Sequence, residues 1–235
     1  MDDTLKTMLE KFIDEYAVEL AQARSTENFK RPFGDFVRKD IAGKIQRTVT
    51  NENYKVKGSV GAGRWTDVPW IAVFDTRITK SAQRGVYIVY LLNKDTRTLY
   101  LTLNQGATDV AQGGSSAKEG KLAFTRIATA DNVKTIESLK ERAQVIRDAI
   151  GDHGNALSGF INSGSKAYDA GCIFYKEYTA SNVPNDEILK NDLNLFIDLY
   201  KKYYDLFVDK NVLIKNSKEK EGEEKLPVST KELLT

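Results

Sequence analysis

Cysteine and histidine are almost missing from this chain of 235 residues, which has one of each, Cys172 and His153. A single cysteine excludes an internal disulfide and any multi-cysteine zinc site. A single histidine in a polar stretch argues against His-based metal sites and against a catalytic triad. Long apolar runs are missing too. The longest, Val86 to Leu92, has seven residues, against the roughly 18 of a membrane-spanning helix. The first residues, Met-Asp-Asp, have neither the basic nor the apolar region of a secretory signal. A cytoplasmic, reducing compartment is the expectation. Excess charge of one sign is also scarce. Lys and Arg number 35 and Asp and Glu 33, a net +2, so bulk charge does not announce nucleic acid.

What is present is ordinary globular composition: 41% hydrophobic, 10% aromatic and 29% charged residues. That excludes a collagen-like, mucin-like or wholly disordered chain. The length suits one large domain or two small ones. Locally the charge is less even. Between Arg38 and Arg64 stand seven basic residues and two acidic ones. Such a patch fits a phosphate footprint, and a solvated helix face followed by a strand edge would read the same way.

Periodicity divides the chain. Leu5, Leu9, Phe12, Ile13, Tyr16 and Leu20 recur at helical spacing, which predicts a helix from Asp2 to about Arg24, capped by Asp2 or Asp3. A second helix is predicted from Asp35 to Val49, with Phe36, Val37, Ile41 and Ile45 as its stripe. Then the period becomes two. Tyr54, Val56, Gly58 and Val60 alternate with Lys55, Lys57 and Ser59, the mark of a half-buried strand. Val68 to Phe74 reads as a strand entered through Pro69, and Val86 to Leu92 as a central one. Leu99, Leu101 and Leu103 alternate with Tyr100 and Thr102, closing a hairpin over the five-residue loop Asn93–Arg97. A helix from Asn132 to Ile150 stops at Gly151. The stretch from His153 to Ser165 reads as irregular, Cys172 to Tyr178 as a strand, and Pro184 as the opening of a last helix along Leu189, Leu193, Phe196, Tyr200, Tyr203 and Phe207. The predicted class is α/β of the α+β kind: a small, mostly antiparallel sheet flanked by N- and C-terminal helices. One domain is expected over 1–212, and 213–235 reads as a charged linker.

Few residues offer chemistry. Gly58-Ser-Val-Gly-Ala-Gly63 invites a phosphate-loop reading, but Arg64-Trp65-Thr66 follows instead of Gly-Lys-Ser/Thr, and the next element is a strand. A tight turn, or a turn whose N–H groups meet one DNA phosphate, both remain. Asp109 followed by Glu119-Gly-Lys121 has the spacing of a metal-dependent nuclease, without the strand pattern that motif needs. Cys172, beside Ile173 and Phe174, reads as a buried thiol, and His153 as a solvated loop residue. Trp65, Trp70 and Tyr168, the last in a predicted loop, stand near basic residues as stacking candidates or as core. No catalytic constellation is complete, and no cofactor is called for.

The run Gly58 to Phe74, GSVGAGRWTDVPWIAVF, then Ser81 to Leu91, SAQRGVYIVYL, Lys94-Asp95 and Tyr100 to Gly106, YLTLNQG, resembles in order the N-terminal domain of McrB-type proteins. The resemblance is strong over Tyr54 to Gly106, weaker from Ser163 to Tyr178, and loose in the terminal helices. It implies a DNA-reading module of modification-dependent restriction systems. Such a module takes modified cytosine from double-stranded DNA by base flipping. It precedes an AAA+ GTPase motor and works with a nuclease subunit. The resemblance also implies a base pocket at Trp70, Leu91 and Tyr168, and a DNA-binding surface at Ser59, Gly61, Ala62, Gly63, Arg64, Trp65 and Ser81. By their charge, Lys55, Lys57, Arg64, Lys80 and Arg84 are candidates for phosphate contacts. Where some relatives carry an aromatic to fill the gap left by the flipped base, this chain has Ala62. A methyl cannot fill that gap, so either Arg64, Trp65 or another loop serves, or the mechanism differs. A plain protein-interaction module, or a nuclease built on Asp109, Glu119 and Lys121, are the competing classes.

Overall fold

The computed structural model describes residues 3–107 and 133–209. Six strands, β1 (Tyr54–Ser59), β2 (Trp70–Asp75), β3 (Val86–Asn93), β4 (Thr98–Gln105), β5 (Leu157–Ser158) and β6 (Phe174–Thr179), form one sheet in the order β1-β2-β3-β4-β6-β5. Every neighbouring pair is antiparallel. Around it lie α1 (Leu5–Ser25), α2 (Pro32–Asp35), a π-helical stretch (Phe36–Ile41), α3 (Ala42–Thr48), α4 (Val133–Ile150), α5 (Lys166–Gly171) and α6 (Asp186–Phe207). This is the predicted α+β class. The candidate nuclease residues Asp109, Glu119 and Lys121, and the charged stretch 213–235, lie outside the described residues.

Most residues of the predicted stripes are buried, with Phe36, Tyr203 and Phe207 only partly so, and the other differences lie at the ends. Thr4, not Asp2 or Asp3, caps α1, its Oγ1 accepting from Thr7 N at 3.2 Å. The acid that α1 does use comes from α6: Asp186 accepts from Leu5 N at 3.0 Å and Lys6 N at 2.8 Å. A carboxylate there satisfies two N–H groups that the first turn leaves free. The second helix begins earlier than predicted, at Pro32, whose fixed φ suits a first helical position. It then widens into the π-helical stretch, with Val37, Ile41 and Ile45 still buried. The hairpin loop is four residues, because Asn93 stays in β3. Its Oδ1 accepts from Asp95 N at 2.9 Å and Thr96 N at 3.1 Å.

The sheet has two unlike faces. Ile71, Val73, Ile88, Tyr90, Leu92, Leu99, Leu101 and Leu103 point to the larger core, where the inner faces of α1, α3 and α6 close over them. Trp70, Ala72, Phe74, Tyr87, Val89, Leu91, Tyr100 and Tyr175 point the other way into a smaller apolar cluster with Val68, Ile161, Tyr168 and Cys172. Period two along each strand makes this division automatic. One hydroxyl of the larger core ties two strands to α6: Tyr200 Oη donates to Val86 O at 2.7 Å and accepts from Asp75 N at 3.1 Å.

Candidate nucleic-acid interface

Register brings the distant candidates together on the second face. Trp70 stands directly opposite Leu91, and Leu91 opposite Tyr100. Directly opposed side chains on one face touch, with Cβ atoms about 5 Å apart. Trp70 is half-buried and meets Phe74 edge-on, ring centroids 6.5 Å apart. Leu91 is fully buried.

Tyr168 reaches the same cluster from the far end of the sequence. It lies on the short helix α5, not in the predicted loop. Three features explain its position. Asn104 Nδ2 donates to Tyr168 O at 3.0 Å. Asp169 Oδ1 accepts from Ser163 N at 2.8 Å and from Ser163 Oγ at 2.6 Å. A Cβ on Gly171 would lie 2.6 Å from Asn104 Oδ1, so only glycine lets α5 approach β4 this closely. Burial raises the pKa of the Tyr168 hydroxyl.

On β1, Ser59, Lys57 and Lys55 face the same way as Trp70, opposite Trp70, Ala72 and Phe74 in turn. Trp70 and Phe74, four residues apart, span about 13 Å along β2. At the far end, Lys55, Lys57 and Lys80 converge on a cavity of about 270 Å³, with Phe74 and Thr76 completing its wall. All three lysines are exposed. Lysines also guard edge strands against pairing with other chains, and β1 is an edge strand. Convergence with Lys80 from another loop is more than edge protection requires.

At the near end the glycine turn is an exposed tip on fixed feet. Thr66 N donates to Val60 O at 2.7 Å, closing the loop, and Gly61 N donates to Ser59 Oγ at 3.1 Å. Gly61 has φ +106°, and a Cβ there would lie 2.3 Å from Arg64 O, so the turn requires glycine. Ala62, Gly63 and Arg64 are exposed. Trp65 is not: it is 2% exposed, stacks on Tyr16 at 5.9 Å, and donates from Nε1 to Phe29 O at 2.9 Å. Its ring therefore offers no face to DNA, against the expectation for it; it roots the turn. Arg24 holds the next residues, pairing with Asp67 at 3.0 Å. That hydrogen bond keeps the Asp67 carboxyl below its ordinary pKa.

Ser81 and Arg84 lie in the loop between β2 and β3, both exposed. Thr79 Oγ1 donates to Ser81 O at 3.0 Å, and Tyr87 Oη donates to Ala82 O at 2.7 Å, which ties the loop to the second face. His153 departs from expectation: it is half-buried and stacks on Phe174, centroids 4.9 Å apart. Cys172 is buried as expected, and burial pushes its thiol pKa up, which removes nucleophilic character. Among the described residues no group of three His, Cys, Asp or Glu is placed to hold a metal ion, and no helix is long and apolar enough to cross a membrane.

A family model described as the MrcB-like N-terminal domain matches residues 15–205. The chain belongs to that family. The match takes in the whole sheet, from β1 to β6, about half of α1 and nearly all of α6. It makes the chain a McrB-type DNA-binding module, the part of such proteins that is not catalytic. Among curated proteins no relative matches. What sequence reasoning missed is the rest of the second face: Val68, Tyr100, Ile161 and Tyr175. The alternation of Tyr100 and Thr102 with leucines carries that signal, since only one of the two sets can face the helices.

Proposed function

We propose that this MrcB-like domain reads modified cytosine in duplex DNA by taking the base out of the stack and holding it between Trp70 and Tyr168, against Leu91. The observation that carries this reading is the meeting of these three residues, from β2, β3 and α5, in one apolar cluster beside a lysine-bearing strand edge. Energetics support it. Extracting a base costs a few kcal/mol, and each aromatic face returns about 1–3 kcal/mol by stacking. Burying one methyl carbon adds about 0.8 kcal/mol. That alone gives only a few-fold preference, so shape fit around Leu91 supplies the remainder. Because Leu91 is fully covered, the base reaches it only when Trp70 and Tyr168 part. Tyr168 is the wall that yields, since it rests on a six-residue helix and Trp70 on a strand.

Lys55, Lys57 and Lys80, with Arg64, Arg84, Ser59 and Ser81, hold phosphates beside the pocket, which positions the duplex without reading sequence. Gly61, Ala62 and Gly63 bring the backbone of the turn to the same strand. Cleavage and GTP hydrolysis belong to a motor and a nuclease outside this chain, working in the cytoplasm. The test is binding to two duplexes that differ only in the modification of one cytosine. Tighter binding of the modified one, lost in Trp70→Ala, supports the reading; equal binding by the wild-type domain refutes it.

A further inference from the structure

Opening a base pair leaves a slot about 3.4 Å high in the stack, and DNA-deforming proteins fill such slots with apolar side chains. The glycine turn has none to offer. Ala62 is a methyl, and Trp65 is locked in the larger core by its stacking on Tyr16 and its bond to Phe29 O. One aromatic is free for the task. Phe160 is 62% exposed, and it is the only exposed aromatic side chain among the described residues.

Its position follows from the segment that closes the second face. Ile161, the next residue, is 7% exposed and packs in the cluster with Trp70, Leu91 and Tyr168. With Ile161 turned in, its neighbour Phe160 turns out. Asn162 O accepts from Asn93 Nδ2 at 2.7 Å, two residues beyond Leu91. Ser163 is bound by Asp169, beside Tyr168. The exposed ring is therefore fastened, within three residues, to the strand carrying Leu91 and the helix carrying Tyr168. Lys140 Nζ lies 5.0 Å from the ring centroid, which sets a cation next to it for the flanking phosphate. Gly159, at φ +129° with open space around it, ends the fastened stretch.

We infer that Phe160 is the wedge of this protein, entering the stack from the β5–α5 loop to occupy the space of the extruded cytosine. This rests on the base-flipping reading above. Apolar solvent exposure then has a reason: the ring is covered only in the complex.

The experiment compares wild type, Phe160→Ala and Phe160→Leu on three duplexes: modified, unmodified, and modified with an abasic site opposite the target cytosine. 2-Aminopurine beside the target reports unstacking. Phe160→Ala should bind the paired modified duplex about tenfold more weakly, the order of one stacking interaction, with a smaller fluorescence rise. It should bind the abasic duplex like wild type, because nothing there remains to be wedged apart. Phe160→Leu, still apolar, should recover most of the loss, and melting should be unchanged in both. Wild-type binding and fluorescence in Phe160→Ala, with Trp70→Ala still defective, would reject the wedge and leave the pocket standing. An equal loss on paired and abasic duplexes would reject it also, making Phe160 a general DNA-touching residue. No fluorescence rise in the wild type would remove base flipping itself, and the wedge with it.

Discussion

Trp65 and Trp70 stand five residues apart and belong to opposite faces of one sheet. Trp65 is buried among Tyr16, Phe33 and the helices, with its indole N–H bonded. Trp70 is half-buried on the second face, where a smaller cluster is closed by a loop and a short helix instead of the long helices α1 and α6 with α3 between. One sheet divides its work in this way. The face covered by α1, α3 and α6 carries the stability, and the thinly covered face carries the aromatic rings, with lysines along its edge. A surface that must open for a base belongs where local packing is thinnest.

Truncating both tryptophans in turn puts this division to its strongest trial. Trp65→Ala should cost about 3–5 kcal/mol of stability, a large part of a marginal total, and should lower the melting temperature steeply. Trp70→Ala should melt within a few degrees of wild type. Equal losses in calorimetry would mean that the second face is core like the first.

Next in size is the packing of α5. Gly171→Ala puts a Cβ 2.6 Å from Asn104 Oδ1, which pushes α5 off β4 and moves Tyr168. Preference for modified DNA should fall about tenfold while far-ultraviolet circular dichroism is retained. Intact preference would show that the position of Tyr168 does not matter.

The lysines set the second face apart by charge. Replacing Lys55, Lys57 and Lys80 together should weaken modified and unmodified duplexes alike. The slope of log K against log salt should shrink by about 0.9 for each phosphate that is no longer neutralised. An unchanged slope would put the phosphates on another surface.

The smallest effect is at the root of the glycine turn. Arg24 and Asp67 are both largely exposed, so Asp67→Asn should cost at most about 1 kcal/mol. The Asp67 pKa is lowered by its Arg24 hydrogen bond, so its contribution is present above the unfolded carboxylate pKa of about 4. It is lost only as pH falls through the lower folded value. A difference in melting between wild type and Asp67→Asn that persists from pH 7 to pH 5 and closes in more acid solution is the expected outcome.

Much of the fold is legible in the sequence because burial writes a period into the chain. Leu99, Leu101 and Leu103 against Tyr100 and Thr102 mark both the strand and its two faces. Ends are less legible, since caps arrive from elsewhere: Asp186 serves α1 from the other end of the chain. Trp65 misleads for a related reason. Its surroundings in sequence, glycines and Arg64, are those of an exposed turn, and only Tyr16 and Phe29, from α1 and the segment after it, make it core. The family resemblance pairs Trp70 with Leu91, and their register explains the pairing. Phe160 lies in a stretch that reads as irregular, and no periodicity marks a residue whose distinction is to be left uncovered.

Everything proposed for the second face depends on Trp70 facing a base and not a core. The direct measurement is the ratio of dissociation constants for unmodified and modified duplexes, taken at one salt concentration, in wild type and Trp70→Ala. A ratio clearly above one is expected in the wild type. In the variant the ratio should be near one, with salt-sensitive binding to both duplexes retained and the fold intact. A folded Trp70→Ala domain that keeps the wild-type ratio would contradict this assignment.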